Sequence, residues 1–293
     1  MIETLLDPFG YEFFVKGVVV ATMAGGLCGL VGVYIVLRGM SYIGHGLSHA
    51  VFGGFAASSI ISVNYYIGAG VWGLASALAI NRVTRTRRIG ADAAIGVITT
   101  ASFALGVALL TFFGNKGPSF DAALFGSIIG VRTVDLWVLA AVCVLAVAVV
   151  LLNYRALLFA TFDPEVADVS GVRVARTDAL LMLVLSLSIL ATLTIIGVTL
   201  VAATLVVPAV VARMLTDSFS RMLWLSSTVG AACGFVGMNL SYHLDVPSGT
   251  TIVLTGAAVF SVVLMLTGGR GLRRVGRVES TDPAPVPVGA PAR

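Results

Sequence analysis

Long apolar runs with short polar breaks recur from about residue 13 to residue 266, and they leave this chain few ways to fold. A run of about 20 apolar residues matches the hydrocarbon thickness of a bilayer. In lipid every backbone N–H and C=O needs an internal partner, so such runs fold as spanning helices. Charge content agrees. Only 11% of the chain is charged and 58% is hydrophobic, whereas a soluble domain carries about 25% charged residues. The expectation is an all-α polytopic membrane protein with one membrane domain, residues 1–268, and a disordered cytoplasmic tail, residues 269–293. That tail begins basic and ends rich in Pro and Ala, a composition too poor in apolar residues to pack. The N-terminal MIETLLDPFGYEFF is acidic and is not read as a signal peptide.

Eight or nine spans are legible. They cover residues 13–36, 40–62, a third run ending near 80, 91–113, 136–152, 179–196, 197–211, 222–242 and 252–266. The seventh run is interrupted by Pro208, so 179–211 reads either as two crossings or as one helix and a half-helix. Residues 114–135 read as an outer loop with a short or re-entrant helix. With nine crossings and the N-terminus outside, fifteen of the eighteen Lys and Arg residues fall on the inner side. Basic loops face the cytoplasm, so the C-terminus is expected there too. The net charge of +4 comes from these loops and does not form a nucleic-acid-binding patch.

Cys28, Cys143 and Cys233 all lie in apolar runs, with no CxxC pair, and read as small buried hydrophobes. Gly25 and Gly29, like Gly230 and Gly234, follow the small-xxx-small spacing that lets helices approach closely. Internal packing is their expected use.

The chemistry concentrates in residues 38–55, RGMSYIGHGLSHAVFGGF. His45 and His49 stand four apart, on one face of a helix and one turn from each other. Ionisable side chains inside a membrane point to a functional site. The pair reads as a metal station, although two ligands alone do not complete a site. The bland alternative is two polar residues packed between helices.

Two further stretches are polar enough to matter. In TFDPEVADVSGVRVAR, Asp163 is placed to cap a short amphipathic helix, Pro164 suits its first position and Glu165 favours its dipole. Val166 and Val169 are placed to face a partner. In the outer turn YHLDVPSGT, His243 and Asp245 offer an access site for an ion. The alternative, preferred here, is that Asp245, Ser248 and Thr250 cap and turn the start of the last helix.

Five stretches together resemble the permease subunits of zinc and manganese ABC importers. GHGLSHAVFGG (44–54) is similar to the family's GDxLSHAxLPG, and DAAIGVITTASFALGV (92–107) to its DAxIGIxFxxxFALG. FDPEVADVSGV (162–172) looks like its FDPExAxxxG coupling segment. IGVTLVAATLVVPAVVAR (196–213) resembles VGVxLVxAxLVxPAxxAR, and DVPSGTTIVL (245–254) resembles DxPSGxTIVL. The five run in the family's order. The resemblance implies a type II ABC importer permease fold in a bacterial cytoplasmic membrane, with two permease copies enclosing the pathway. It also implies a cytoplasmic ABC ATPase docked on 162–172 through Asp163, Pro164, Glu165, Val166 and Val169, and an extracytoplasmic solute-binding protein that delivers the ion. No cofactor would be held permanently; the metal is cargo, Zn2+ or Mn2+. His49 matches the family pattern, but His45 stands where the family usually has a carboxylate. Imidazole suits zinc better than the oxygen-loving manganese, so zinc is favoured. The chain has no G-x-x-x-x-G-K-[ST] loop, so hydrolysis belongs to the ATPase rather than to this subunit.

Two other functions compete. A stand-alone secondary metal transporter or channel needs several carboxylates within its spans, whereas here they lie mostly at span ends and in loops. A membrane metalloprotease of the H-E-x-x-H type is excluded by Gly46, which occupies the general-base position.

Overall fold

The computed structural model describes residues 7–61, 63–85, 91–113, 124–126 and 131–278. The arginine-bearing residues 86–90, most of the expected outer loop with its re-entrant helix, and residues 279–293 of the expected tail lie outside them. The described residues are helical, with no strand among them. After a 3-10 turn at Asp7–Gly10 come α1 (Glu12–Leu37), α2 (Ser41–Ile60), α3 (Tyr65–Arg85), α4 (Ala91–Phe113) and α5 (Thr133–Leu152). Two short helices follow, α6 (Tyr154–Phe162) and α7 (Pro164–Val169), and then α8 (Val174–Ile196), α9 (Val201–Leu215), α10 (Phe219–Leu244) and α11 (Ser248–Val278).

Six of these helices, α1, α4, α5, α8, α10 and α11, are long and apolar enough to cross a membrane. The expected spans α2 and α3 fall short of that hydropathy, since α2 carries two His residues and four Ser and α3 ends in polar residues. Both are long enough to span, and a helix with a polar stripe is tolerated when the stripe faces other protein.

The central helix is α1, with 72% of its apolar span buried against 22% for α5 and for α11. It packs closely on α10 because the glycines remove the side chains between them. A Cβ on Gly25 would lie 2.1 Å from the Gly230 carbonyl oxygen, and one on Gly234 would lie 2.2 Å from that of Ala21. Hydroxyls strengthen the seam: Ser226 donates to the Gly29 carbonyl at 2.6 Å and Ser227 to that of Gly26 at 2.9 Å. The glycine pairs therefore serve internal packing, as expected.

The break between α8 and α9 falls where the sequence divided the run into 179–196 and 197–211, but Pro208 does not interrupt the second part. Pro208 lies buried inside α9, and the chain breaks earlier, at 197–200. Gly197 has φ +84, ψ 153, a conformation closed to side chains. The amide and hydroxyl of Thr199 both bond to the Leu124 carbonyl, at 3.3 and 2.8 Å, and Ser248 donates to that of Ile195 at 2.9 Å. The opened helix end is thus satisfied by two other segments. The last helix also differs from its expected extent. It runs to Val278, through ten residues assigned to the tail.

Candidate metal station and coupling segment

The histidine helix α2 lies directly on α4. Gly46 leaves room for Ile95 and Thr99, and Gly53 sits under the Ser102 carbonyl, where a Cβ would come within 2.4 Å. Close backbone approach leaves His45 and His49 half-buried along the seam. Their rings meet edge to face with centroids 4.5 Å apart, and His49 also packs edge to face on Phe103 at 4.6 Å. The two Nε2 atoms lie 3.2 Å apart. In the neutral pair one Nε2–H donates to the other's lone pair. A metal ion held by both rings would take the place of that shared proton. Two zinc–nitrogen bonds of about 2.0–2.1 Å at a tetrahedral angle put the nitrogens about 3.3 Å apart. Cis positions around an octahedral ion give a similar separation. The 3.2 Å spacing of the pair therefore matches that of two ligand atoms on a single ion. Nδ1 of His49 is buried without a hydrogen-bond partner, so no carboxylate or carbonyl orients that ring from behind. No group of three or more His, Cys, Asp and Glu gathers among the described residues.

The second predicted pair sits elsewhere, at the end of α10. His243 is exposed, with its ring against Tyr242. Asp245 does not cap the start of α11. It is the left-handed C-cap of α10, at φ 53, and its amide bonds to the Ser241 carbonyl. Ser248 also departs from the capping expectation, since its hydroxyl reaches Ile195 on α8.

The coupling segment forms as expected at its core. The Asp163 carboxylate accepts from the amides of Glu165 and Val166 at 3.1 and 3.0 Å, with Pro164 at the first turn. Val166 is 49% exposed and Val169 is 91% exposed, so both project from the protein. The helix before it, α6, was not legible as a separate element.

Sequence reasoning also missed two polar clusters. Asp135, 1% exposed, accepts from the Tyr66 hydroxyl and from the backbone and side chain of Arg132. Its signal was an Asp three residues past a loop, the position of a capping partner. The other joins Arg38 to Asp178 at 2.7 Å and to Thr161 at 3.2 Å. These residues are 123 and 140 positions from Arg38, and nothing local signals such a contact.

Comparison with known proteins bears on the family and the fold. The sequence profile of the ABC 3 transport family matches residues 10–267. The chain belongs to the ABC 3 transport family. This is the metal-importer permease family that the five motifs resembled. Among its members, the manganese transport system membrane protein MntC of Listeria monocytogenes is 36% identical over 262 residues, covering 89% of this chain and 93% of that one. The manganese import system permease ScaB of Streptococcus gordonii is 34% identical over 252 residues, covering 86% and 90%. The solved structure of PsaBC from Streptococcus pneumoniae in complex with Fab includes a chain that superposes with a TM-score of 0.82 at 32% identity, covering 90% of this chain and 95% of that chain. Family members are ABC permease subunits, and the helical arrangement described above is theirs.

Proposed function

We propose that this chain is the membrane permease of an ABC importer for a divalent transition-metal ion, and that His45 and His49 hold the ion in transit. The observation that carries the reading is the pair of half-buried Nε2 atoms 3.2 Å apart on the helix seam. Two copies of the chain line the pathway, with the N-terminus outside and the C-terminus in the cytoplasm, the orientation that the Lys and Arg distribution favours. A cytoplasmic ATPase docks on α7, and an extracytoplasmic solute-binding protein delivers the ion. Two ligands from one chain suit a transit site, which must release what it binds.

Kinship and chemistry pull the choice of ion in different directions. The relatives above are named for manganese. Two imidazoles form a softer site than an imidazole with a carboxylate and favour zinc. We therefore propose a station that accepts both ions and holds zinc more tightly. The test is uptake by the reconstituted complex with zinc and manganese in competition. Replacing both imidazoles by Ala should lower uptake at least about tenfold, since even changes behind a metal ligand cost that much. His45→Asp should raise the manganese-to-zinc uptake ratio. Uptake at the wild-type rate without either imidazole overturns the station, and an unchanged ratio places selectivity in the solute-binding protein.

A further inference from the structure

The corner between α1 and α2 is built to hold a fixed shape. Arg38 ends α1, Gly39 follows at φ +66, and the amides of Gly39 and Met40 close back on the carbonyls of Val36 and Ile35 at 3.2 and 3.0 Å. This double closure is a Schellman motif, which sets the direction in which the next helix leaves. The next helix is α2, which begins at Ser41 and carries His45 in its second turn.

One side chain ties that corner to the coupling segment. The guanidinium of Arg38 donates through Nη1 to Asp178 on α8 and through Nε to Thr161 on α6. Thr161 is two residues before Asp163, the cap of α7, and its hydroxyl donates onward to the Leu157 carbonyl at 2.6 Å. The Arg38 and Asp178 side chains are only 10% and 17% exposed. A second grip lies beside the first. The ring of Phe219 on α10 meets Tyr34 on α1, Tyr154 on α6 and Phe162 at the end of α6. Thus α6 is tied to α1 by the Arg38–Thr161 hydrogen bond and, through the Phe219 ring of α10, by aromatic contacts, while the ion pair ties α1 to α8.

The ionic contact is a poor choice for stability alone. Desolvating two charges costs several kcal/mol, and apolar residues often fill such a site equally well. Nη2 of Arg38 is also buried with no partner. A buried pair that is incompletely satisfied is better suited to fixing one geometry than to gaining stability. Aromatic faces slide over one another, whereas a charged hydrogen bond has a set length and direction.

We propose that Arg38 is the positioning residue of the importer's transmission. Held by Asp178 and Thr161, it makes the coupling segment and the α1–α2 corner move as one body, so that displacement at α7 reorients the histidine helix. This rests on the permease reading above. In that reading the ATPase moves α7, and the metal station must respond.

The experiment uses the reconstituted complex of permease, ATPase and metal-loaded binding protein in liposomes, reading metal ions imported per ATP hydrolysed. Arg38→Gln and Asp178→Asn should each lower that ratio about tenfold, within the usual range of coupling between sites. The double variant should lose no more than either single one, because the pair acts as a unit. Arg38→Lys, which keeps the charge, should recover part of the ratio. Thr161→Val removes one acceptor at nearly constant volume and should lower the ratio less, which keeps a readout if the charge variants fail to fold. A purely structural role predicts that hydrolysis and uptake fall in proportion, with the ratio unchanged, and that result overturns the proposal. If the wild-type complex shows no ATP-dependent metal uptake, the permease reading itself falls. If it does import metal and Arg38→Gln couples as well as wild type, only the transmission role falls.

Discussion

Asp245 shows how one residue's role depends on backbone geometry. Among the described residues it is the one non-glycine with positive φ. For an L-residue the left-handed region costs roughly 1–2 kcal/mol, least for Asn and Asp. The exposed carboxylate sits there because it ends α10, which does not require it to meet an ion. Asp245→Gly removes that strain while adding flexibility to the unfolded chain, two effects of similar size and opposite sign. The melting temperature of the variant in detergent should stay near that of wild type, and its metal uptake should too. A loss of uptake with melting preserved would restore the access-site reading of His243 and Asp245. At this same scale the histidine pair was legible, because i, i+4 spacing is a property of the helix itself. The 3.2 Å approach of the two Nε2 atoms confirms that local expectation. Arg38 was legible only as a topological charge, because its partners are far away in sequence.

Among the elements, α7 is the clearest case of local determination. Its six residues make an unstable helix in isolation, and one Asp163 carboxylate oxygen accepts from two of the amides its first turn leaves unpaired. Glu165 is exposed in that first turn. Glu165→Arg therefore forfeits only about 0.3–1 kcal/mol of dipole interaction and leaves the fold intact. It should nevertheless reduce co-purification of the ATPase and abolish hydrolysis stimulated by loaded binding protein. Full stimulation in that variant would show that α7 is not the docking element. The α8–α9 break illustrates the opposite limit. The run boundary at 196/197 was legible, and Pro208 was read as an interruption beyond it, since it removes an N–H within the helix. It remains inside α9, at a buried position. The chain opens at Gly197, the expected boundary, but its partners there, Leu124 and Ser248, come from distant segments.

For the whole molecule, the seam between α1 and α10 sets the architecture. A Cβ on Gly230 would lie 2.1 Å from the Gly25 carbonyl oxygen. That neighbour is backbone, so it cannot rotate away. Gly230→Ala should cost at least about 1–3 kcal/mol, the usual cost of overpacking a tight core. Gly96→Ala is the matched control, because nothing lies within 4 Å of the added carbon. It should be neutral or stabilising by up to about 1 kcal/mol, since Gly disfavours helix interiors. Thermal melts of the two variants in one detergent test the contrast. Equal melting temperatures would mean that the seam gives way more easily than its geometry implies.

The sequence by itself determined the class of solvent, the long apolar helices and the family. Apolar run length, helix caps and the histidine spacing are local quantities, written within a few turns of chain. It also held the glycine seam, because small-xxx-small spacing marks a helix face whatever that face meets. Tertiary structure alone decided what those faces meet. It supplied partners from Leu124 and Ser248 to the open backbone around Gly197, made Asp245 an end rather than a beginning, and buried Asp135 beneath Tyr66. It also brought Arg38 against Thr161 and Asp178. Except at Asp245, whose amide bonds to Ser241 four residues earlier, each of these depends on hydrogen-bond partners from distant segments, which local spacing does not encode. In lipid those partners decide the outcome, because a buried polar group without one costs several kcal/mol.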